Sequence, residues 1–304
     1  MDLKYLNTFR TIAALGSFNQ AANLLDLAQS TVSDQIKALE SDLDVKLFNR
    51  DGKKISLTPA GELFLQYAQK MINLEEEVRS EMKGCEEVHG SLVIRIPESI
   101  SSYYLPPVLK IFQSRYPHVD LHFSSCTSVG LQQELRSGII NLALLITRDF
   151  KDADLEIYTL MEVPLVMITY PDNPIAAKQW LMLAELKNEP VYATSSDCNY
   201  FKIIEEFFTN EKIKLPTLYR LNSIEAIKKN IIAGTGVAVL PKIAVQDEIS
   251  NGLLIELPFE KSPLSARMIM IRLKNKWHPP ILEAFMDIMK ETLPTISSAT
   301  KIKI

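Results

Sequence analysis

The stretch "SFNQAANLLDLAQSTVSDQIKALE" at residues 17–40 contains two amphipathic segments separated by a very short break. The spacing of the apolar residues predicts helices over about 17–25 and 29–43, with Ser17 as the N-cap of the first. The break between them is long enough only for a turn. Another amphipathic helix is predicted upstream, over about 2–14. Three helices with a tight turn between the last two predict a helix-turn-helix.

The helix predicted at 29–43 separates its apolar residues from its polar ones. Its apolar face consists of Val32, Ile36, Leu39 and Leu43. Its outer face and flanks carry mostly small polar side chains: Gln29, Ser30, Thr31, Ser33, Asp34, Gln35, Lys37 and Ser41. Such a face fits the major groove of DNA, which is roughly 12 Å wide, and offers hydrogen-bonding groups to base edges. The alternative is a generic corner of two amphipathic helices.

A hairpin is predicted at residues 47–58, "LFNRDGKKISLT", because alternating residues flank the turn signal Asp51-Gly52. Three basic residues lie at its tip: Arg50, Lys53 and Lys54. A basic hairpin directly after a helix-turn-helix is typical of a wing that contacts phosphates or the minor groove. The alternative is a solvated hairpin whose lysines protect its edge from aggregation.

Residues 1–58 contain seven basic and seven acidic residues, so this segment is neutral. Neutralising phosphates releases counterions, and this release supplies most sequence-independent affinity for DNA. A neutral domain gains little from it. We therefore expect useful affinity to require two or more copies on one DNA.

A long helix is predicted to begin at Pro59 and to end before Gly84. Its apolar residues recur every three or four positions and form one continuous stripe. The stripe consists of Leu63, Tyr67, Met71, Leu74, Val78 and Met82. A long helix with one apolar face favours dimerisation through that face. The alternative is that the stripe packs on the core of its own chain.

Residues 1–66 resemble the DNA-binding region of LysR-type transcriptional regulators. The matching positions are Phe9, Gly16–Phe18, Ala21, Ala22, Gln29, Ser30, Val32, Ser33, Gln35, Ile36, Leu39, Glu40, Leu47, Phe48, Arg50 and 57–61. The resemblance implies four residues against the major groove: Gln29, Ser30, Ser33 and Asp34. It also implies that the hairpin around Arg50 and Lys53 lies near the minor groove.

Asp34 departs from the family, whose members often carry arginine or another donor at this position. Its carboxylate can accept a hydrogen bond from a cytosine amino group, which would alter base preference. Alternatively, it stabilises the N-terminus of its helix as the last residue of Thr31-x-x-Asp34. We favour the second interpretation.

The remaining sequence alternates predicted strands and helices, which indicates α/β architecture with parallel strands. Strands are predicted at 91–96, 119–125, 140–146, 164–170, 190–194, 217–222, 236–241 and 266–273. Helices are predicted at 101–117, 129–138, near 182–187, at 200–211, 223–234 and 279–293. The pattern predicts two lobes: lobe I about 91–161 and 266–293, and lobe II about 162–265.

Serine, threonine and asparagine follow several of these strands. Ligands in such sheets bind outside the carboxyl ends of the strands, where helix N-termini present free N–H groups. These residues are also the ordinary N-caps of helices. Five such segments at one edge favour a polar cleft between the lobes.

The family resemblance continues over 91–292, which is similar to the family's effector domain and to periplasmic solute-binding proteins. It implies a small effector, often an organic anion, between the lobes. The positions that match are Ser99, Thr127, Ser128, Thr147, Ser196 and Asn222. Asn141 replaces a common aspartate and is expected to affect local structure more than binding. Arg148 is the cation placed near the cleft; a solvated loop charge is the alternative.

Composition limits the other function classes. The chain has 304 residues, a net charge of −4 and three cysteines, and no apolar run is long enough for a membrane span. No secretory signal is evident, so a reducing cytoplasm is expected. Cys198 lies at the start of the helix predicted at 200–211, and a helix N-terminus lowers a thiol pKa, so redox sensing is the alternative to effector binding. A small buried cysteine is the commoner outcome.

These patterns predict a transcription regulator in three parts. Residues 1–58 form a winged helix-turn-helix, 59–89 a linker and dimerisation helix, and 90–304 the two-lobed effector domain. The expected partners are double-stranded promoter DNA, a small effector, and further copies of the chain as dimer and tetramer. No cofactor, metal or membrane is expected. The alternatives are a solute-binding protein, which the missing export signal disfavours, and an enzyme, which the missing acid–base pair disfavours.

Overall fold

The computed structural model describes residues 2–49, 55–83, 90–125, 130–194, 205–206, 208–209, 217–258, 265–274 and 276–301. Internal contacts divide the chain into two compact units. The first comprises Met1–Val88, Gln132–Ile140 and Asn275–Pro279, and the second comprises the rest. None of the helices in these described ranges is long and apolar enough to cross a membrane.

The first unit contains four helices and a two-stranded hairpin among its described N-terminal residues. Their bounds are α1 Leu3–Leu15, α2 Phe18–Leu24, α3 Gln29–Leu43, β1 Phe48–Asn49, β2 Ser56–Leu57 and α4 Pro59–Lys83. The three short helices, the hairpin and the long helix predicted from the sequence are thereby confirmed.

Local signals set the ends of these helices. Ser17 caps α2, and its hydroxyl accepts a hydrogen bond from the backbone N–H of Gln20 at 3.3 Å. Gly16 ends α1 in the left-handed conformation at φ 61°, which glycine adopts without strain. The register of the hairpin pairs Phe48 with Leu57, while its tip at 50–54 lies outside the described residues.

The core of the first unit lies between the helices and the hairpin. Phe9, Val32 and Ile36 are completely buried there. The rings of Phe9 and Phe48 pack with centroids 5.2 Å apart, and other aromatic rings extend this cluster. Burial of a large apolar side chain contributes about 1.5–3 kcal/mol, so this cluster holds α1 and α3 against the hairpin.

The second unit is built on a mixed sheet. Its strands are β3 Gly90–Ile96, β4 Val119–Ser125, β5 Leu142–Thr147, β6 Leu155–Thr169, β7 Val191–Thr194, β8 Leu218–Leu221, β9 Val237–Pro241, β10 Ile255–Glu256 and β11 Ser265–Leu273. The helices from Glu98 onward are α5 Glu98–Tyr103, α6 Leu105–Arg115, α7 Leu131–Ser137, α8 Ile224–Ile232, α9 Lys242–Ser250 and α10 Pro280–Lys301, with 3-10 turns at Pro174–Ala177 and Leu183–Leu186. Residues 132–137 of α7 belong to the first unit by their contacts.

The strand order is β4-β3-β5-β11-β6-β9-β7-β8, with β10 paired to β6. The predicted parallel pairing is confirmed on both flanks of the sheet. On one flank β3 is parallel to β4 and β5, and on the other β7 is parallel to β8 and β9. The prediction is wrong at the centre, where β11 is antiparallel to β5 and β6. The long strand β6 pairs with β11 as far as Pro164 and with β9 from Leu165. It therefore joins β3, β4, β5 and β11, which fall in the predicted lobe I, to β7, β8 and β9, which fall in the predicted lobe II.

One helix prediction for this unit is wrong, and other elements were not predicted. The helix predicted at 101–117 is two helices, because the chain leaves helical bonding at Tyr104 and restarts where Pro106 and Pro107 can occupy a first turn. The first half of β6 and all of α9 were not predicted. The helix predicted at 200–211 falls mostly outside the described residues.

Candidate functional site

The outer face of α3 is a row of exposed polar side chains above a buried apolar face. Val32, Ile36 and Leu39 are fully buried. Gln29, Ser30, Thr31, Asp34 and Lys37 are exposed, and Ser33 is partly exposed. Within the row the amide of Gln29 donates to the hydroxyl of Ser33 at 3.0 Å. The helix thus presents donors and acceptors at the dimensions that the major groove admits.

Asp34 does not cap α3, so the favoured sequence interpretation is wrong. The helix begins at Gln29 after the N-cap Ala28, which places Asp34 beyond the first turn. Its carboxylate instead lies 3.1 Å from the ammonium of Lys37. Both side chains are more than half exposed, so the pair contributes little to stability and both groups remain accessible to a partner.

Two hydrogen-bonded anchors hold α3 beneath its polar face. The buried hydroxyl of Thr8 on α1 donates to the side-chain oxygen of Gln35 at 2.6 Å. The buried carboxylate of Glu40 accepts from the backbone N–H groups of Leu47 at 2.9 Å and Phe48 at 3.4 Å. These bonds tie α3 to α1 and to the start of the hairpin.

Glu40 is ionised in this environment. Burial alone would raise the pKa of its carboxyl, but the hydrogen bonds from Leu47, Lys46 and Phe48 outweigh it and lower the pKa. This role was not predicted from the sequence. The available signal was a glutamate at the fourth position after Ile36, on the side of α3 that otherwise carries apolar residues.

Helix α4 carries apolar residues on two sides. Leu65, Ala68 and Ile72 are buried in the core of the first unit. The predicted stripe lies elsewhere on the helix, and its described members are 37–60% exposed: Leu63, Tyr67, Met71, Leu74 and Val78. The stripe therefore does not form part of its own chain's core in these described residues. An exposed continuous apolar face of this kind marks an interaction surface.

Three of the predicted effector residues lie in the described part of the second unit. Ser99 is completely buried on α5. Thr147 ends β5, and its hydroxyl donates to the carbonyl of Asp149 at 3.2 Å. Asn222 is exposed directly after β8. The other three, Thr127, Ser128 and Ser196, lie outside the described residues.

Two arginines lie together at the carboxyl end of β5, where the sequence predicts one cation. Arg148 donates through Nε to the carbonyl of Ser265 at 3.4 Å, and its guanidinium is 4.0 Å from the carboxylate of Glu206 in lobe II. Arg267 of β11 donates to the carbonyl of Arg148 at 2.6 Å. Arg267 is 119 residues from Arg148 in the sequence. The pairing of β11 with β5 brings it to the site.

Asn141 has the structural role predicted for it. Its side-chain oxygen accepts from the backbone N–H of Val93 at 2.8 Å, and its own N–H donates to the Val93 carbonyl at 2.9 Å. The described residues contain no group of three or more His, Cys, Asp or Glu side chains placed to hold a metal ion.

Two family sequence models match the chain. The model described as "Bacterial regulatory helix-turn-helix protein, lysR family" matches residues 3–62, and the "LysR substrate binding domain" matches residues 86–294. The second match covers more than half of the chain, and the first coincides with the helices and hairpin of the first unit. The chain belongs to the LysR-type family of transcriptional regulators. It is accordingly a DNA-binding regulator with an effector-binding domain.

Individual LysR-type proteins resemble the whole chain. The uncharacterized HTH-type regulator YwqM of Bacillus subtilis strain 168 is 34% identical over 294 residues, which cover 96% of this chain and 99% of that protein. A full-length OxyR variant from Pseudomonas aeruginosa has a TM-score of 0.71 at 22% identity, covering 96% and 94% of the two chains. Full-length CbnR complexed with its target DNA has a TM-score of 0.59 at 21% identity, covering 96% and 100%. These two structures share the fold.

Some LysR-type features of the sequence fall outside the described residues. They are the wing-tip residues Arg50, Lys53 and Lys54, and Cys198 of the redox alternative. Their roles therefore remain predictions from the sequence.

Proposed function

We propose that this LysR-type regulator reads promoter DNA through the outer face of α3 and acts as a dimer or tetramer in the cytoplasm. The observation that carries the proposal is the exposed polar row on α3 above a fully buried Val32, Ile36 and Leu39. In this proposal Gln29, Ser30, Thr31, Ser33, Asp34 and Lys37 face the major groove. The wing, through Arg50, Lys53 and Lys54, contacts the backbone or minor groove. The CbnR–DNA complex supports the proposal through the shared fold.

Self-association is proposed through the exposed stripe of α4. Because residues 1–58 are neutral, one copy gains little from counterion release, and two joined copies add their contacts on one DNA. Pairing two stripes would remove the largest exposed apolar side chains of α4 from water.

The substitution Ser33→Ala tests the proposed reading of bases. We expect binding of the full-length protein to a promoter fragment near its own gene to weaken about tenfold, with binding to unrelated DNA nearly unchanged, because a lost base contact costs roughly 1–3 kcal/mol. Ser41→Ala, an exposed position at the far end of the same helix, is the matched control and should change neither affinity. Equal losses on both DNAs for Ser33→Ala would show that α3 does not read bases.

We propose further that the effector is a small organic anion bound between the lobes. The proposed lining is Ser99, Thr127, Ser128, Thr147, Ser196 and Asn222, with no catalytic step. The two cationic residues at the end of β5, Arg148 and Arg267, support an anionic ligand there.

A thermal-shift screen of organic anions tests the ligand class. An anion that raises the Tm of the full chain should lose this effect in Arg148→Gln and keep it in Lys151→Gln, which changes an exposed charge three residues away. A hit that remains equally effective in both variants would place the anion elsewhere.

A further inference from the structure

A carboxylate from lobe I occupies the N-terminus of a helix in lobe II. Glu98 is the first residue of α5, directly after the end of β3 and Pro97. One of its oxygens accepts from the hydroxyl of Ser223 at 3.0 Å, and the other accepts from the backbone N–H of Ile224 at 3.0 Å. The free N–H groups and the dipole at a helix start favour a negative charge there. Glu98 thus supplies a cap to α8 from 126 residues away.

Ser223 confirms that this cap is not local. It is the N-cap residue of α8, where serine ordinarily accepts a hydrogen bond from its own helix. Here its side chain makes no such bond and donates to Glu98 instead. The hydroxyl of Ser223 therefore forms a hydrogen bond between the lobes and none that caps its own helix.

A second contact follows at the other end of α5. The hydroxyl of Tyr103 donates to the carboxylate of Glu225 on α8 at 3.1 Å. The ring of Tyr103 packs against the apolar cluster of lobe II. Glu225 also pairs with the buried ammonium of Lys228, which lies 2.7 Å from Glu248 on α9. Tyr103 therefore docks on a part of lobe II that is itself held by ion pairs.

We propose that Glu98 and Tyr103 form an intramolecular latch that holds lobe I against lobe II. The latch must open, at least at Glu98, when the lobes move relative to each other. If the latch also controls entry of an effector, that role rests on the proposed effector cleft. The existence of the latch does not depend on that cleft.

The strength of these bonds suits a reversible latch. A hydrogen bond to a charged group shifts an equilibrium by roughly ten- to hundredfold, and Glu98 and Glu225 are not fully buried. A ligand with that much preference for the open arrangement can release it. The strand β6 continues from lobe I into lobe II, so it keeps the lobes connected while the latch opens.

The distance between the lobes in the full-length protein tests the latch without effector or DNA. Spin labels are placed on exposed residues of α6 and α8, at Lys110 and Lys229, after replacement of the three native cysteines by serine. Labelled chains are diluted with unlabelled chains so that pulsed electron paramagnetic resonance reports distances within one chain. In Glu98→Ala we expect the fraction of longer distances to rise about tenfold.

Two further variants complete the experiment. Glu62→Ala removes a first-turn acid from α4 and should leave the distances unchanged. Tyr103→Phe keeps the ring and removes only the hydroxyl, so it should give a smaller shift in the same direction and provides the test if Glu98→Ala does not fold. Unchanged distances in both latch variants, or equal shifts in Glu62→Ala, would overturn the latch. Because no ligand is present, that result would leave the proposed effector binding standing.

Discussion

Two polar regions of the molecule differ in the sequence separation of the residues that their hydrogen bonds join. One is the outer face of α3, and the other is the contact of α5 with α8 in the second unit. On α3 the bonds join residues three or four apart, Gln29 to Ser33 and Lys37 to Asp34. In the second unit the bonds of Glu98 and Tyr103, at the two ends of α5, reach residues more than 120 positions away. A surface on one helix follows from the helical repeat, whereas a site between lobes depends on the path of the whole chain.

Glu40 tests this contrast most severely, because its buried carboxylate joins α3 to backbone groups seven and eight residues away. Glu40→Ala removes the acceptor of two backbone N–H groups, and each buried unsatisfied group costs roughly 1–3 kcal/mol. We expect the local free energy of unfolding around α3 and the hairpin to fall by about 3 kcal/mol. Native-state hydrogen exchange of the α3 amides measures it.

Asp34→Ala is the matched control for Glu40→Ala. It also removes a carboxylate from α3, but an exposed one, and should cost under about 1 kcal/mol. Similar losses in the two variants would mean that Glu40 contributes no more than a surface charge.

The stripe of α4 extends the comparison, because its spacing is local but its described side chains are exposed and do not pack in the core of the first unit. Leu74→Asp should weaken self-association by about thirtyfold or more, since burial of one leucine contributes roughly 1.5–3 kcal/mol. The stability of the first unit should not change, because Leu74 is 60% exposed. Sedimentation velocity across a concentration series measures the association.

Gln66→Asp, at an exposed polar position of the same helix, is the control for charge alone. It should leave the sedimentation behaviour unchanged. If Leu74→Asp also sediments like the unaltered protein, α4 is not the surface through which copies associate.

A smaller effect is expected where α1 supports α3. Thr8→Val keeps the shape of the side chain but removes the donor to Gln35, which is 27 residues away. The expected loss is about 1 kcal/mol, the usual net contribution of one hydrogen bond. Hydrogen exchange of α1 and α3 should report it, and Thr11→Val, which removes a bond within α1, should leave α3 unaffected.

The smallest effect concerns pH. Folding lowers the pKa of Glu40 below its ordinary value of 4.5, so its ionisation stabilises the fold above that pH and ceases to do so as pH falls through the lowered pKa. On acidification from about pH 6 the unaltered protein should therefore lose more stability than Glu40→Gln. Parallel stability curves for the two proteins would contradict the assigned ionisation.

The same difference in sequence separation explains which features could be predicted from the sequence. The bounds of α3, the hairpin and α4 follow from periodicity, a turn dipeptide and a proline, all of which act locally. The helix predicted at 223–234 follows from the same local logic, but the cap that Glu98 supplies to its first N–H does not. Arg267 was missed because only the pairing of β11 with β5 brings it beside Arg148. Neither partner leaves a signal near the other in the sequence.

The bond between Gln29 and Ser33 has a consequence for how sharply a base is discriminated. If the side-chain amide of Gln29 leaves Ser33 to bind a base, one hydrogen bond replaces another. The net gain in binding free energy is therefore small. Opposite an unsuitable base the amide can return to Ser33 and is not left unsatisfied. Discrimination at this position is therefore softer than for a side chain that has no alternative acceptor, and related operator sequences should be tolerated there.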